Sequence, residues 1–309
     1  MAQLANERVA YINGKIVPES QALVSFRDRG FLFGDAVFDT TRTFSHRIFK
    51  LTEHLDRFYR SLRYVKIDPG LSPAELARIT EEVLVKNLHL ISKDEDYWVS
   101  QRISRGIEVP GGEFTSHAGP TVVVECKPLP LRARAKLYRD GIHMVVPSIR
   151  RAPPQSFSPR AKTHNYLNLI MADLEARGHD PEAWAVLLDM NGNVTEGMGS
   201  NFFMVQDGRI STPRAQQVLP GISRATTMDL ARDMGIACEE RDLDLYDVYT
   251  ADEAFLTSTS LCICPVAKVN DHTIGNAKVP GPITKKLIES YSKFVDHDFV
   301  AQYLKFLDT

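Results

Sequence analysis

Two residues set the chemical possibilities of this sequence. Lys162 stands in Ser158-Pro159-Arg160-Ala161-Lys162-Thr163-His164-Asn165-Tyr166-Leu167, just ahead of a helix. Glu196 stands in Asn193-Val194-Thr195-Glu196-Gly197-Met198-Gly199-Ser200-Asn201-Phe202-Phe203, after a strand and a turn. A lysine amine condenses with an aldehyde once it has shed its proton, which partial burial and a neighbouring cation favour. A carboxylate beside a ring nitrogen keeps that nitrogen protonated and makes the ring an electron sink. Brought together, the pair could hold and tune an aldehyde cofactor. Taken alone, Lys162 reads equally as a solvated surface lysine and Glu196 as a turn carboxylate.

Two further segments suit a phosphate. Gly221 frees backbone N–H groups, and Ile222 and Ser223 open a helix, whose N-terminus favours anions. Thr257-Ser258-Thr259-Ser260 offers a row of hydroxyls and loop amides at a strand end. Arg57 could add a fixed positive charge. Glu53 lies at i−4 from it, however, and an exposed helical ion pair is the simpler reading of Arg57 by itself.

The elements that must position these groups are legible in outline. Val9 to Val17 alternates around Asn13-Gly14, a hairpin signal. Arg27 to Asp35 is a glycine-punctuated loop, and Ala36 to Phe44 a strand with Phe38, Thr40 and Arg42 on one face and Val37, Asp39, Thr41 and Thr43 on the other. A helix begins near Thr52 with Leu55, Phe58, Leu62 and Val65 at helical spacing. Ser72-Pro73-Ala74-Glu75 is a capping box opening a helix to about Leu88. Strands are expected at Tyr97 to Ser104 and Thr121 to Glu125. Lys127-Pro128-Leu129-Pro130-Leu131 then breaks the pattern, as a connection between domains does. Beyond it come a strand at Ile142 to Pro147, a helix from Asn165 to Arg177 stopping at Gly178, a strand at Trp184 to Asp189, a hairpin around Asp207-Gly208, a helix ending at Gly235, a strand at Glu253 to Leu256 and a helix from Pro282 to Phe294.

Bulk properties exclude several function classes. With 37 basic against 39 acidic residues the net charge is −2, which gives no basic field for nucleic acid or a membrane surface. No apolar run reaches the ~20 residues of a membrane helix, and Met1 to Arg8 lacks an apolar leader, so a cytoplasmic protein is expected. The four cysteines are scattered apart from Cys262-x-Cys264, which suits buried reduced thiols; no metal site is expected.

Over nearly its whole length the sequence resembles the class IV (fold-type IV) pyridoxal-phosphate aminotransferases, which include branched-chain aminotransferases, D-amino acid transaminases and (R)-selective amine transaminases. The motifs that carry the resemblance are Asp28-Arg29-Gly30 with Phe33-Gly34-Asp35, Glu53-His54-Leu55-Asp56-Arg57, Lys162 with Asn165-Tyr166-Leu167, Thr195-Glu196-Gly197, Leu219-Pro220-Gly221-Ile222-Ser223-Arg224, and Gly281-Pro282-Ile283-Thr284-Lys285. The resemblance implies an α+β fold. A small α+β domain (1–127) and a linker (128–137) lead to a larger β-barrel-like domain flanked by helices (138–309), with the active site between the domains.

It also implies pyridoxal 5'-phosphate as cofactor, Lys162 as Schiff-base lysine and proton shuttle, Glu196 as pyridinium partner and Tyr166 as partner of the 3-hydroxyl. Arg57, Ile222, Ser223, Ser258 and Thr259 become phosphate ligands, which displaces the surface-pair reading of Arg57. Phe33, Phe38, Arg42, Trp98, Arg102, Gly199, Thr259 and Ser260 become the substrate pocket. The partners implied are an amino donor, a 2-oxo acid and further copies of the chain, in a homodimer or higher homo-oligomer with the active site at the interface.

For the substrate, Phe38-Asp39-Thr40-Thr41-Arg42 resembles the aromatic-acid-Gly-x-Arg strand of branched-chain enzymes, with Thr40 in place of glycine. The strand arginine of those enzymes is shifted here to Arg102 or Arg105. The Arg-x-His carboxylate trap of D-amino acid transaminases is missing after Gly106, while Arg150-Arg151-Ala152-Pro153-Pro154 resembles the (R)-amine enzymes. Transfer from a hydrophobic, branched-chain amino acid is the leading expectation, with D-amino acids or (R)-amines as alternatives and aminodeoxychorismate lyase behind them.

Overall fold

A computed structural model describes residues 6–307. The chain forms two units. The first takes the residues up to Leu129 together with a short return segment, Ala161–Asn165; the second takes Pro130–Arg160 and the chain from Tyr166 onward.

The first unit opens with β1 (Val9–Ile12) and β2 (Lys15–Pro18), joined by Asn13 and Gly14 at φ 45° and 91°. Both positive angles are what a two-residue hairpin turn requires. The glycine-punctuated stretch that follows is not all loop. Asp28 accepts from the Gly30 N–H at 2.8 Å and caps α1 (Arg29–Phe33), which Gly34 closes in the left-handed conformation. Next come β3 (Ala36–Phe44), β4 (Arg47–Ile48), α2 (Leu51–Val65), α3 (Pro73–Asn87), β5 (Tyr97–Ser104) and β6 (Thr121–Pro128). The Ser72–Glu75 capping box forms at the start of α3.

The strands pair antiparallel in the order β2-β1-β6-β5-β3-β4. On one face Leu55, Phe58 and Leu62 of α2 and Leu76, Ile79 and Val83 of α3 pack against Val37, Val99, Ile103 and Val124. Strand alternation therefore sends Val37 and Asp39 toward the helices and turns Phe38, Thr40 and Arg42 to the opposite face. Along β5 the same rule separates Val99 and Gln101 from Trp98, Ser100 and Arg102.

β4 pairs only with Thr43 and Phe44, so the first half of β3 has an open edge. The return segment docks there. The Phe38 N–H donates to the Lys162 carbonyl at 3.0 Å, the His164 N–H donates to the Ala36 carbonyl at 2.9 Å, and Val37 bridges Thr163. The Lys162 N–H donates to Ser61 Oγ at 3.1 Å, and Asn165 Nδ2 donates to the Gly34 carbonyl at 3.1 Å. Five residues are thus pinned from both ends.

The second unit begins with α4 (Leu131–Asp140). The sequence reading runs the linker through 128–137, but Leu131, Ala135 and Tyr138 fall on one helical face and are buried, so a helix forms there instead. It continues with β7 (Ile142–Val145), α5 (Leu167–His179), β8 (Trp184–Leu188), β9 (Val194–Gly197), β10 (Ser200–Gln206), β11 (Arg209–Thr212) and α6 (Ile222–Asp233). Then come β12 (Cys238–Glu240), α7 (Leu245–Tyr249), β13 (Glu253–Ser258), β14 (Cys262–Val269), β15 (His272–Thr273), α8 (Pro282–Phe294) and α9 (Phe299–Leu304).

β10, β13, β14, β7, β8 and β9 pair in turn, and β9 pairs back onto β10, which closes a six-stranded barrel. α5 covers β7 and β8 through Leu169, Ala172 and Ala176. This helix starts two residues later than its sequence pattern suggests and runs through Gly178, ending at His179. Cys262 and Cys264 are both buried on β14, and burial pushes the Cys264 thiol well above its usual range. No helix among the described residues is long and apolar enough to cross a membrane.

Ser61 couples the return segment to α2, because its Oγ accepts from Lys162 and donates to the Arg57 carbonyl at 3.1 Å. Replacing it with alanine strands the Lys162 N–H. Ser61→Ala is expected to lower the unfolding free energy by about 1–2 kcal/mol, measured by urea denaturation.

Candidate active site

In the first unit, the face of β3 and β5 turned away from the helices carries the lysine. Val37 faces Thr163 across the bridge, so Lys162 and His164 point with Phe38. The Lys162 Nζ lies 4.4 Å from the centroid of the Phe38 ring. The Arg102 guanidinium lies 5.1 Å from the same centroid, and the His164 ring meets it edge-on at 5.4 Å. Lys162 is buried, so a primary amine stands over an aromatic face with little water around it.

The helix-facing side holds Arg57. Its Nε and Nη2 donate to the two oxygens of Asp39 at 2.8 and 2.7 Å, and His54 Nδ1 lies 2.7 Å from Asp39 Oδ1. All three residues are buried. Burial alone would raise the Asp39 carboxyl pKa, but Arg57 and His54 outweigh it and hold it well below the usual carboxylate range. Burial pushes His54 below the usual histidine range against the pull of Asp39. The carboxylate that fixes Arg57 is therefore a residue of β3, to which the sequence reading gives no role. The signal for it was a charge in the inward register of a strand.

The arginines divide sharply. Arg42 is sunk in the fold, its Nε donating to the Thr43 carbonyl at 2.9 Å and its guanidinium 3.8 Å from Asp96 and over the Phe44 ring. Arg105 clamps Asp35 through two hydrogen bonds of 2.7 and 2.9 Å and reaches the Val65 and Lys66 carbonyls. It supports the loop. Arg102 is half-buried and donates to Glu125 at 2.9 Å. Trp98 is half-buried opposite Arg42, whereas Phe33 sits at the end of α1 against Phe114 and Arg29.

In the second unit, Glu196 follows β8 and its turn, as the sequence indicates, and lies on a short strand of its own, β9. Its Oε1 accepts from Arg151 Nη2 and Nε at 3.0 and 3.2 Å, and its Oε2 accepts from the Leu219 N–H at 2.8 Å. Arg151 is held in place by its own N–H to the Leu188 carbonyl, and the loop by Asn168, which bonds the Ala152 N–H and the Arg150 carbonyl. The sequence sets Arg150-Arg151-Ala152-Pro153-Pro154 beside the (R)-amine enzymes but offers no link to Glu196. Gly199 makes the turn into β10 at φ 96°.

The phosphate candidates of this unit, Ile222, Ser223, Ser258 and Thr259, share one neighbourhood, while Arg57 belongs to the first unit. Gly221 precedes α6, and no side chain of that N-cap covers the amides of Ile222 and Ser223. A Cβ at Gly221 would stand 2.1 Å from Asn201 Oδ1, so a side chain there would push Asn201 from its place. Asn201 Nδ2 donates to the Leu219 carbonyl at 3.0 Å. Ser223 Oγ donates to the Ser258 carbonyl at 3.0 Å, which ties the start of α6 to the end of β13. Ser260 takes the guanidinium of Arg134 on its hydroxyl and Tyr303 on its carbonyl. Thr259 is half-buried beside them, and Tyr166 caps α5 with its ring on the Val145–Leu169 cluster. An uncapped helix N-terminus and a buried, doubly anchored carboxylate are the donor and acceptor that a phosphorylated, ring-nitrogen aldehyde requires.

Comparison with known proteins gives the same direction. The model of the family described as "Amino-transferase class IV" matches residues 36–269. The putative branched-chain-amino-acid aminotransferase of Methanocaldococcus jannaschii is 38% identical, over 91% of this chain and 94% of that protein. The aminodeoxychorismate lyase of Bacillus subtilis is 33% identical over 92% and 93%. Among solved structures, the T.th. branched-chain amino acid aminotransferase complexed with N-(5'-phosphopyridoxyl)-L-glutamate superposes with a TM-score of 0.84 at 28% identity, covering 95% of each chain.

The geometry around Asp39 makes a prediction independent of these likenesses. Asp39→Asn leaves a buried guanidinium without its carboxylate and is expected to cost about 3–5 kcal/mol in unfolding free energy. Because the folded carboxyl titrates below the unfolded value of about 3.9, its contribution is complete above that pH and fades as pH falls below it. Denaturation curves between pH 3 and 7 should show this acid-side loss in the parent chain and its reduction in the variant.

Proposed function

The chain belongs to the class IV aminotransferases, which are pyridoxal-phosphate enzymes, and on that premise we propose that it moves an amino group between a hydrophobic, branched-chain amino acid and a 2-oxo acid in two half-transfers. The observation that carries the reading is the buried Lys162 amine, pinned on the edge of β3 with its Nζ over Phe38. Bound pyridoxal phosphate supplies an aldehyde that takes the amino group and a ring that accepts the electron pair left at the substrate's α-carbon.

The chain's residues do the rest. Lys162 Nζ would hold the cofactor through its aldehyde at rest and, once free as an amine, would carry the proton from the substrate's α-carbon to the former aldehyde carbon. Glu196 keeps the ring nitrogen protonated, and the Arg151 and Leu219 contacts hold its carboxylate in one place. The amides of Ile222 and Ser223, with Ser258, Thr259 and Arg57, hold the phosphate, while Tyr166 bonds the 3-hydroxyl. Asp39 fixes the Nε–Nη2 edge of Arg57, so the charge is oriented before any phosphate arrives. Phe38 and Trp98 give the substrate's side chain an apolar wall, with Phe33 on the loop of α1. Gly199, Thr259 and Ser260 offer backbone to the substrate, and the working form is a homodimer or a higher homo-oligomer.

The test is a set of single half-reactions on the purified holoenzyme. L-leucine, D-alanine and (R)-1-phenylethylamine are offered separately, and cofactor absorbance reports conversion to the pyridoxamine form. L-leucine is expected to react fastest. If none of the three changes the spectrum, while pyruvate appears from aminodeoxychorismate, the lyase chemistry of the Bacillus relative takes its place. Lys162→Ala should slow the half-reaction at least about a thousandfold. Glu196→Gln should slow it by about a hundredfold while leaving the cofactor bound.

A further inference from the structure

His164 has no part in the assignments above, yet it shares a face with the lysine. Strand alternation puts its side chain beside Lys162 and Phe38, and its ring packs edge-on against Phe38 at 5.4 Å. Burial first, and the Arg102 guanidinium second, push its pKa down to about 4, so the ring is neutral near pH 7. Its Nε2 is cut off from water and has no hydrogen-bond partner. An unpaired polar atom out of water is costly, and leucine would fill a place beside Phe38 without that cost. The residue as a whole stays partly exposed. A half-turn of the ring about Cβ–Cγ exchanges Nε2 with Cε1 in the same volume and carries the nitrogen to the other edge.

We propose that His164 is a substrate-recognition residue whose imidazole joins the Arg102 guanidinium, across the Phe38 ring, in holding the α-carboxylate of the amino acid and the 2-oxo acid. The proposal rests on the transaminase reading and deepens it. Lys162 Nζ lies 4.4 Å from the centroid of that same ring, and the carbon it works on carries the α-carboxylate directly. Arg42 and Arg105 are committed to Asp96 and Asp35. Arg102 shares its charge with Glu125, and a second side-chain donor on the same face would fix a carboxylate's orientation. A neutral imidazole supplies an N–H without setting a third cation beside Lys162 and Arg102.

The test separates carboxylate recognition from packing. Calorimetry on the holoenzyme measures the binding of 4-methylpentanoate and of its uncharged isostere 4-methylpentanamide. The parent enzyme is expected to prefer the acid by about tenfold or more, and His164→Leu to weaken the acid about tenfold while leaving the amide unchanged. His164→Gln places an amide nitrogen near the position of Nε2 and should restore most of the preference. His164→Asn, whose nitrogen stands near Nδ1, should not. If the leucine variant does not fold, the Gln and Asn pair reads the same difference. A parent enzyme with no preference, an unchanged ratio in the variants, or equal losses for acid and amide each overturn the proposal. The L-leucine half-reaction of the parent enzyme judges the transaminase reading separately, since the acid-to-amide ratio needs no turnover.

Discussion

Strand β3 is used on both faces, and the alternation of its side chains is the constraint on which the rest of the first unit depends. Val37 must reach the core beneath α2, which commits Asp39 to the same side and Phe38 to the other. Asp39 then has nowhere to go but among helix residues, and its charge is tolerable there only because Arg57 and His54 meet it. The open half of the β3 edge takes the return segment, and the Val37–Thr163 bridge decides that Lys162 joins Phe38 rather than Asp39. A slip of one residue in that pairing would bury the lysine among α2 side chains and turn Thr163 outward. Backbone hydrogen bonds on both sides of Thr163, with Ser61 behind Lys162, oppose such a slip.

The same logic of satisfied charge recurs elsewhere. Glu196 sits in a barrel strand with both oxygens engaged, one by Arg151 and one by a main-chain amide. Asp35 is held by Arg29 and Arg105; burial opposes ionisation there, but the two guanidiniums keep its carboxyl below the usual range. In each case a carboxylate is immobilised by donors that are themselves tethered. Such groups need little reorganisation when charge develops beside them, which is how fixed dipoles favour a transition state over a ground state. None of them is efficient as a source of stability alone, since desolvating two ions consumes much of their attraction.

What could be read before the structure was mostly local. Asn13-Gly14, the Ser72–Glu75 box and the proline at the head of α8 each specify a backbone conformation within a few residues, and all three form. The limits of β3 and β5 follow from period-two patterning bounded by loops. Arg57 shows where local reading stops: Glu53 at i−4 was the visible partner, while Asp39 is brought there by sheet–helix packing. Arg151 is farther still, because its meeting with Glu196 depends on β9 pairing with β8, to whose Leu188 carbonyl the Arg151 N–H bonds. The return segment is five residues long and has no periodicity of its own, so nothing in it announces a partner on another strand. Helix α4 was hidden by the prolines before it, which mark a start as readily as a break.

Three arginines of the first unit looked interchangeable as carboxylate ligands, and their surroundings separate them on physical grounds. Arg42 is fully buried between an aromatic face, a carbonyl and Asp96, so drawing it toward a ligand would uncover Asp96 and break a network that also holds Thr43 and the His46 N–H. Arg105 satisfies a carboxylate and two helix-end carbonyls at once, and each of those acceptors would lose its donor. Arg102 has one carboxylate partner, on the neighbouring strand, and Glu125 also has Lys127 at 3.4 Å. Releasing Arg102 therefore leaves Glu125 with a cation, and the cost of redirecting this guanidinium is the smallest of the three. Where each arginine stands along the chain matters less than what it would leave behind.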